Sequence, residues 1–396
     1  MSINYNAYHM NSHPSKRIRK ELEKFHNTLP KREDLSFNLN SSTLPLNFID
    51  WNDLQAAEYS ENSTTPCFFC QFSSNQACIV KGISNTVEQV FTTSLQQILN
   101  IHTLKLRLVQ FKQSEFSLMI NNLQRVAIGD KYLENAIEKE LDRPFILVQE
   151  FVPGGYFLQM GKSRSERCFA VDPVLGYRRL REIGEMIAAD IFINNVYRVP
   201  VLSNDEGNPN TFLVSINNPD FTEDQFLDPS IPPTFGNIFS LDSNFTPIQD
   251  PQLRSQYLEK VERFVRGTIR DLDDALQGKT FGLLNLATME STKEFFHKCT
   301  RVELDNHQLF QILKGIMGTF KEIAEMGTEE IEDIFQEIKF MPDEDWMELW
   351  QQGVSNINLE FLFSVQSTIK QIVDLNKDSF SWVYQMYKID ESPLYF

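Results

Sequence analysis

The sequence predicts an α+β fold in two unequal lobes: a small antiparallel β lobe carrying one helix, then a larger, mainly helical lobe. Three observations carry that expectation. Residues 54–83 hold three short β-prone runs separated by turn clusters, and a helical run follows at once. In mid-chain, DIFINNVYRVPVLSNDEGNPNTFLV (190–214) runs from an apolar helix through a polar loop into a strand. From Pro251 onward, apolar residues recur at helical spacing to the end.

Length and composition set the outer bounds. The 396 residues are long for one compact core and suit two lobes. Phenylalanine occurs 32 times, so much of the interior should be aromatic. Lys and Arg number 37 against 54 Asp and Glu, a net charge of −17 that repels phosphate backbones and anionic lipid. Nucleic acid and membrane surfaces are therefore poor partners, and a basic partner or plain solubility fits better. Residues 1–14 are polar, with no signal-peptide core, and no uncharged run approaches the ~18 residues a spanning helix needs. The expectation is a soluble, cytoplasmic chain. Five scattered cysteines argue against a disulfide framework. Cys67-Phe-Phe-Cys70 has CxxC spacing but sits in a strand-like run without a second ligand pair, so buried structural cysteine is expected.

Residues 1–45 are polar and rich in Asn, Ser and Pro, and read as a flexible arm. The small lobe is expected over about 46–150 and the large lobe over about 151–396. Residues 54–59, 66–72 and 77–83 are the three strands, with turn clusters at 60–65 and 73–76. Residues 86–100 place Val87, Val90, Phe91, Leu95, Ile98 and Leu99 at helical spacing. Lys81 ends the third strand and Glu88 opens the helix, positions from which an ion pair could orient nucleotide phosphates. Residues 104–111 and 116–128 read as further strand-rich packing, and 131–141 as a charged helix. PFILVQEFVPGG (144–155) is an apolar strand entering a turn, where Pro153 and two glycines let the chain change direction into the second lobe. In a nucleotide-binding fold of this kind, the backbone at Glu150, Phe151 and Val152 would face an adenine edge.

Residues 172–195 form a helix ended by Asn194 and Asn195, and 211–216 form a strand. A polar, Pro-rich loop spans 217–233, and a strand-like run over 236–248 is interrupted at Asp242. Helices are expected over 252–277, 309–320, 321–349 and 358–373, the third with a solvated acidic face.

This order of parts resembles the actin-fragmin kinase family, atypical protein kinases with a phosphoinositide 3-/4-kinase-like fold. The matching stretches are CIVKG at Lys81, VEQVFTTSLQQILNI around Glu88, ILVQEFVPGG, DIFINNVYRVPVLSNDEGNPNTFLV and IFSLDSNFTPIQDP at Asp242. The resemblance implies a two-lobed protein-kinase-like fold, and a serine/threonine kinase using ATP and Mg. Lys81 would hold phosphates, Glu88 would pair with it, and Glu150, Phe151 and Val152 would take the adenine. Asn210 and Asp242 would supply oxygens to the metal. A protein substrate or binding partner is implied, actin-associated proteins being one class.

Two features depart from the family pattern. The family has an Asp-Arg pair after the asparagines, where this chain has Tyr197-Arg198. Tyr197 therefore stands at the position of the catalytic Asp, which accepts the substrate hydroxyl's proton, and a phenol that keeps its own proton at neutral pH cannot do that. Arg198, left without its acidic neighbour, would turn toward the phosphates or toward Asp190. The turn SENSTT (60–65) also has no glycine to let backbone N–H groups approach phosphates. Three readings follow: a kinase with impaired activity, a pseudokinase acting as a nucleotide-binding or protein-interaction scaffold, or an unrelated acidic helical interaction protein.

Overall fold

The computed structural model describes residues 42–61, 65–171, 173–203, 206–216, 235–276 and 286–377. Within them the chain has a sheet-based small lobe and a larger helical lobe. The small lobe is a six-stranded sheet. β1 (Ser42–Thr43) runs parallel to one end of β4, and the rest is antiparallel: β2 (Leu54–Ser60), β3 (Cys67–Phe72), β4 (Gln76–Lys81), β5 (Leu106–Gln110) and β6 (Phe145–Glu150). Spatial order along the main path is β2-β3-β4-β6-β5.

The period of two along β6 sorts its side chains into two cores. Phe145 and Leu147 join the core containing α1 (Thr86–Ile98), whereas Ile146 and Val148 join a second core with Phe68, Cys70, Cys78 and Val80. All five cysteines are buried as thiols, and Cys70 lies across from Cys78 between neighbouring strands.

That second core is covered by a helical hairpin, α2 (Ser114–Ala127) and α3 (Lys131–Leu141). Residues 116–127 are therefore helical, which corrects the strand expectation over 116–128. Phe116, Met119, Leu123 and Ala127 are buried at spacings of three and four, one face of a helix. Gly129, at φ 91°, turns the chain, and Asp130 caps α3 by accepting from the Tyr132 and Leu133 amides. Among the described residues the small lobe thus carries α1, the helix expected at 131–141, and α2 in addition.

The polar arm also ends earlier than expected. Ser42 and Thr43 are in the sheet, the Leu44 amide donates to Ala77, and Leu44, Leu46 and Trp51 are buried in the second core. Residues 1–41, the turn at 62–64 and the loop at 217–233 lie outside the described residues.

After β6 the chain forms β7 (Gly154–Tyr156), and a helical segment, α4 (Phe157–Glu166), broken at Gly161. The long α5 (Pro173–Ile193) follows, then β8 (Phe212–Ile216) and β9 (Phe235–Ser240). Strands β7, β8 and β9 make a second, antiparallel sheet. The remainder is α6 (Pro251–Leu276), α7 (Glu290–Thr300), α8 (Asn306–Glu325), α9 (Thr328–Lys339), α10 (Met347–Val354) and α11 (Leu359–Leu375). The single helix expected over 321–349 is instead the end of α8, all of α9 and the start of α10. A new helix starts there after Gly327, whose amide donates to the Glu330 side chain.

α5 is the axis of the large lobe. A Cβ at Gly184 would stand 2.0 Å from the Ile312 carbonyl, and one at Gly315 would stand 2.1 Å from that of Arg181. Two glycines therefore let α5 and α8 touch backbone to backbone. Among the described residues, no helix is long and apolar enough to cross a membrane.

Candidate active site at the lobe junction

Lys81 ends β4 on the same sheet face as Ile79, opposite to Val80, and so points at the large lobe rather than into the second core. Its ammonium meets Asp242 Oδ1 at 2.7 Å, and both side chains are nearly buried. Burial opposes the charge on Lys81, but the Asp242 carboxylate more than offsets this and holds the ammonium above the ordinary lysine range.

Asp242 is placed by strand pairing. Phe212 faces Ser240 between β8 and β9, and the Leu241 amide continues the ladder to the Thr211 carbonyl. One residue further, Asn210 and Asp242 stand at the same end of the sheet, on adjacent strand segments. Asn210 is held by a short 3-10 turn, Pro209–Thr211, in which its own amide donates to Asn208 Oδ1. Its side chain has no hydrogen bond among the described residues, and neither has Asp242 Oδ2. Asp242 adopts φ 47°, a left-handed conformation sparsely used by residues with a Cβ.

Arg198 turns inward. It is 0% exposed, and its guanidinium bonds Asp190 Oδ1 at 2.6 Å, the Leu241 carbonyl at 3.0 Å and Ser243 Oγ at 2.8 Å. Of its two expected directions it takes the one toward Asp190, with its side chain closed off from solvent. Asn195 Nδ2 also donates to Asp190 Oδ1, while Asn194 ends α5 at φ 52° and donates to the Thr246 carbonyl. Burial pushes the Asp190 carboxyl up to about 6, against the pull of Arg198. Tyr197, the next residue out, is 55% exposed and makes no side-chain hydrogen bond among the described residues.

Glu88 is not on Lys81. Its Oε1 accepts from Asn356 Nδ2, just after α10. At the lobe connection, the Glu150 amide donates to the Lys105 carbonyl, its carboxylate accepts from the Lys105 amide, and the Phe151 carbonyl accepts from Thr43 Oγ1. Val152 alone of the three keeps both amide and carbonyl unbonded among the described residues.

A family model described as the catalytic domain of actin-fragmin kinase matches residues 31–320, well over half of the chain. The chain belongs to the actin-fragmin kinase family. Two Dictyostelium discoideum proteins assigned as actin-fragmin kinases are similar to it, at 22% identity over 334 residues and 23% over 338. Each match covers 81% of this chain, and 74% and 73% of those relatives. At the lobe junction the donor set is coherent. One carboxylate and one amide oxygen are hard ligands of the type magnesium takes alongside water and phosphate. Lys81 offers a buried cation, and Val152 an unbonded donor and acceptor. Among the described residues there is no cluster of three or more His, Cys, Asp or Glu that would make a transition-metal centre. Sequence reasoning missed three further polar residues at the junction: Thr92, Gln96 and Ser243. Their signal was faint, a threonine and a glutamine four apart inside an apolar helix.

Proposed function

We propose that this chain is a protein serine/threonine kinase of the actin-fragmin type that binds ATP with magnesium and transfers phosphate slowly. The observation that carries the reading is the buried Lys81–Asp242 pair, with Asn210 at the same end of the sheet. Magnesium would neutralise phosphate charge and orient the transferred group. Asp242 and Asn210 would hold it, Lys81 would exchange its carboxylate contact for a phosphate oxygen, and Val152 would pair with the adenine edge. Glu88 takes no part while Asn356 holds it. Tyr197 would face the acceptor hydroxyl, where its phenol cannot serve as the general base. Because phosphoryl transfer rests mainly on positioning and charge stabilisation, loss of the base slows it by ~10²–10⁴ without abolishing it.

The acceptor is proposed to be a hydroxyl on a cytoplasmic, actin-associated protein. The relatives' printed names suggest the class, and the net charge of −17 suits a basic docking surface. A second reading, a scaffold that binds nucleotide without transferring phosphate, is favoured by Tyr197 and by the engagement of Glu88 with Asn356.

The test is labelled-phosphate transfer from ATP to the actin–fragmin complex by wild type and Tyr197→Asp. The expected result is a wild-type rate far below the ~1–100 s⁻¹ of ordinary kinases and a rise of ~10²-fold in the variant. An ordinary wild-type rate would overturn the impaired-base argument. Silence from both proteins, with ATP still bound, would favour the scaffold.

A further inference from the structure

Asp242 is held in its left-handed conformation by its neighbours, and one oxygen grips both sides of it. Gln96 lies on α1, 1% exposed, and its Oε1 accepts from Ser240 Oγ at 3.1 Å and from Ser243 Oγ at 2.9 Å. Those serines stand two residues before Asp242 and one after. One turn earlier on α1, Thr92 Oγ1 donates to the Ser243 carbonyl at 3.0 Å. Arg198 reaches the same turn from the other side, through the Leu241 carbonyl and Ser243 Oγ. Glu88, Thr92 and Gln96 follow one another at four-residue spacing and share a helix face. Since Asn356 holds Glu88, the link between α1 and the charged centre runs through Gln96 and Thr92.

We infer that Gln96 is a positioning residue for the metal-binding role of Asp242, acting through Ser240 and Ser243; this rests on the magnesium reading proposed above. The chemistry required of Gln96 is narrow. Its Nε2 is buried with no hydrogen-bond partner, so only the carbonyl oxygen is used. A carboxyl group of the same length would supply that oxygen, and a leucine of similar size would not. Removing the acceptor leaves the two serine hydroxyls only each other, at 3.0 Å, and Arg198, and so loosens the Asp242 turn from φ 47°. Outer contacts of this kind orient a ligand without touching the metal.

The experiment follows binding of a fluorescent N-methylanthraniloyl ATP to the full chain, with and without magnesium, in wild type, Gln96→Leu, Gln96→Glu and Ser243→Ala. Gln96→Leu is expected to raise the magnesium concentration at half-saturation by about tenfold, with nucleotide affinity in the absence of metal unchanged. Ser243→Ala, which removes one hydroxyl from a loop turn, shifts the midpoint the same way, and Gln96→Glu returns it to the wild-type value. A wild-type magnesium midpoint in both Gln96→Leu and Ser243→Ala overturns the inference alone. So does a parallel loss of metal-free and metal-dependent binding, which marks a merely structural role. A wild-type chain with no magnesium-dependent binding removes the functional reading itself, and the inference with it.

Discussion

Lys81 and Asp242 stand 161 residues apart in sequence and meet at 2.7 Å. Both were singled out through the resemblance to a family, because a lysine ending a strand reads by itself as a surface residue and an aspartate interrupting one as a turn former. The direction toward Asp190 was one of two expected for Arg198, whereas the part played by Gln96 was not legible, because a polar side chain in an apolar stretch reads equally as solvent-facing until long-range packing buries it. The same burial has a consequence for pH at Glu182, on α5. Its Oε2 accepts from the Ile238 amide at 2.8 Å, and Oε1 lies 3.2 Å from Arg178 Nε. Burial outweighs both contacts and pushes the carboxyl from the ordinary 4.5 up to about 7. The folded chain therefore keeps this proton to a higher pH than the unfolded chain does. The associated stability is complete below about 4.5 and is lost as pH rises through about 7. Glu322 and Asp190 are pushed up to about 7 and about 6 and titrate in the same window, so the informative quantity is a difference between proteins. The melting temperature of wild type is expected to fall more than that of Glu182→Gln between about pH 5 and pH 8, by the equivalent of a few kcal/mol. Parallel curves would show that Glu182 titrates as an ordinary carboxylate.

At the scale of elements, the strands were read well wherever a turn cluster bounded them, as at β3 and β4. The helix α2 was misread because Phe116, Met119, Leu123 and Ala127 make a sparse stripe interrupted by Asn121-Asn122. The two-residue β1 is too short to leave a pattern, yet it ties the lobe together. Thr43 bonds the Phe151 carbonyl at the lobe connection, and Leu44 is buried against the sheet. Removing residues 1–41 is expected to leave the melting temperature within a few degrees, since that composition cannot bury a core of its own. Extending the deletion through Leu44 removes the β1 pairing and a buried leucine worth ~1.5–3 kcal/mol, and should lower the midpoint by several degrees more. Equal melting temperatures for the two deletions would show that β1 adds nothing to the fold. The helices from α9 onward lie beyond the family model's match, and Asn356 from that region holds Glu88.

Among the described residues, two large hydrophobic cores lie on the two sides of the small-lobe sheet, and the buried Lys81–Asp242 and Arg198–Asp190 pairs stand where the large lobe meets that sheet. The two-lobed class was legible from the order of elements alone. The connections across the junction were not, because Lys81 to Asp242, Arg198 to Ser243 and Gln96 to Ser240 each span dozens of residues with no spacing rule. If that junction is a nucleotide and magnesium site, the two ligands should favour each other's binding, since magnesium held by Asp242 would offset phosphate charge while Lys81 would turn from Asp242 Oδ1 to a phosphate oxygen. Calorimetric titration of the full chain with ATP, with and without magnesium, in wild type, Lys81→Ala and Asp242→Asn, tests this most directly. The account predicts binding at or below millimolar ATP that strengthens with magnesium. Lys81→Ala should lose ~1.5–3 kcal/mol, and Asp242→Asn should lose the magnesium dependence. Absence of heat at millimolar ATP with magnesium, or an Asp242→Asn titration identical to wild type, would contradict it.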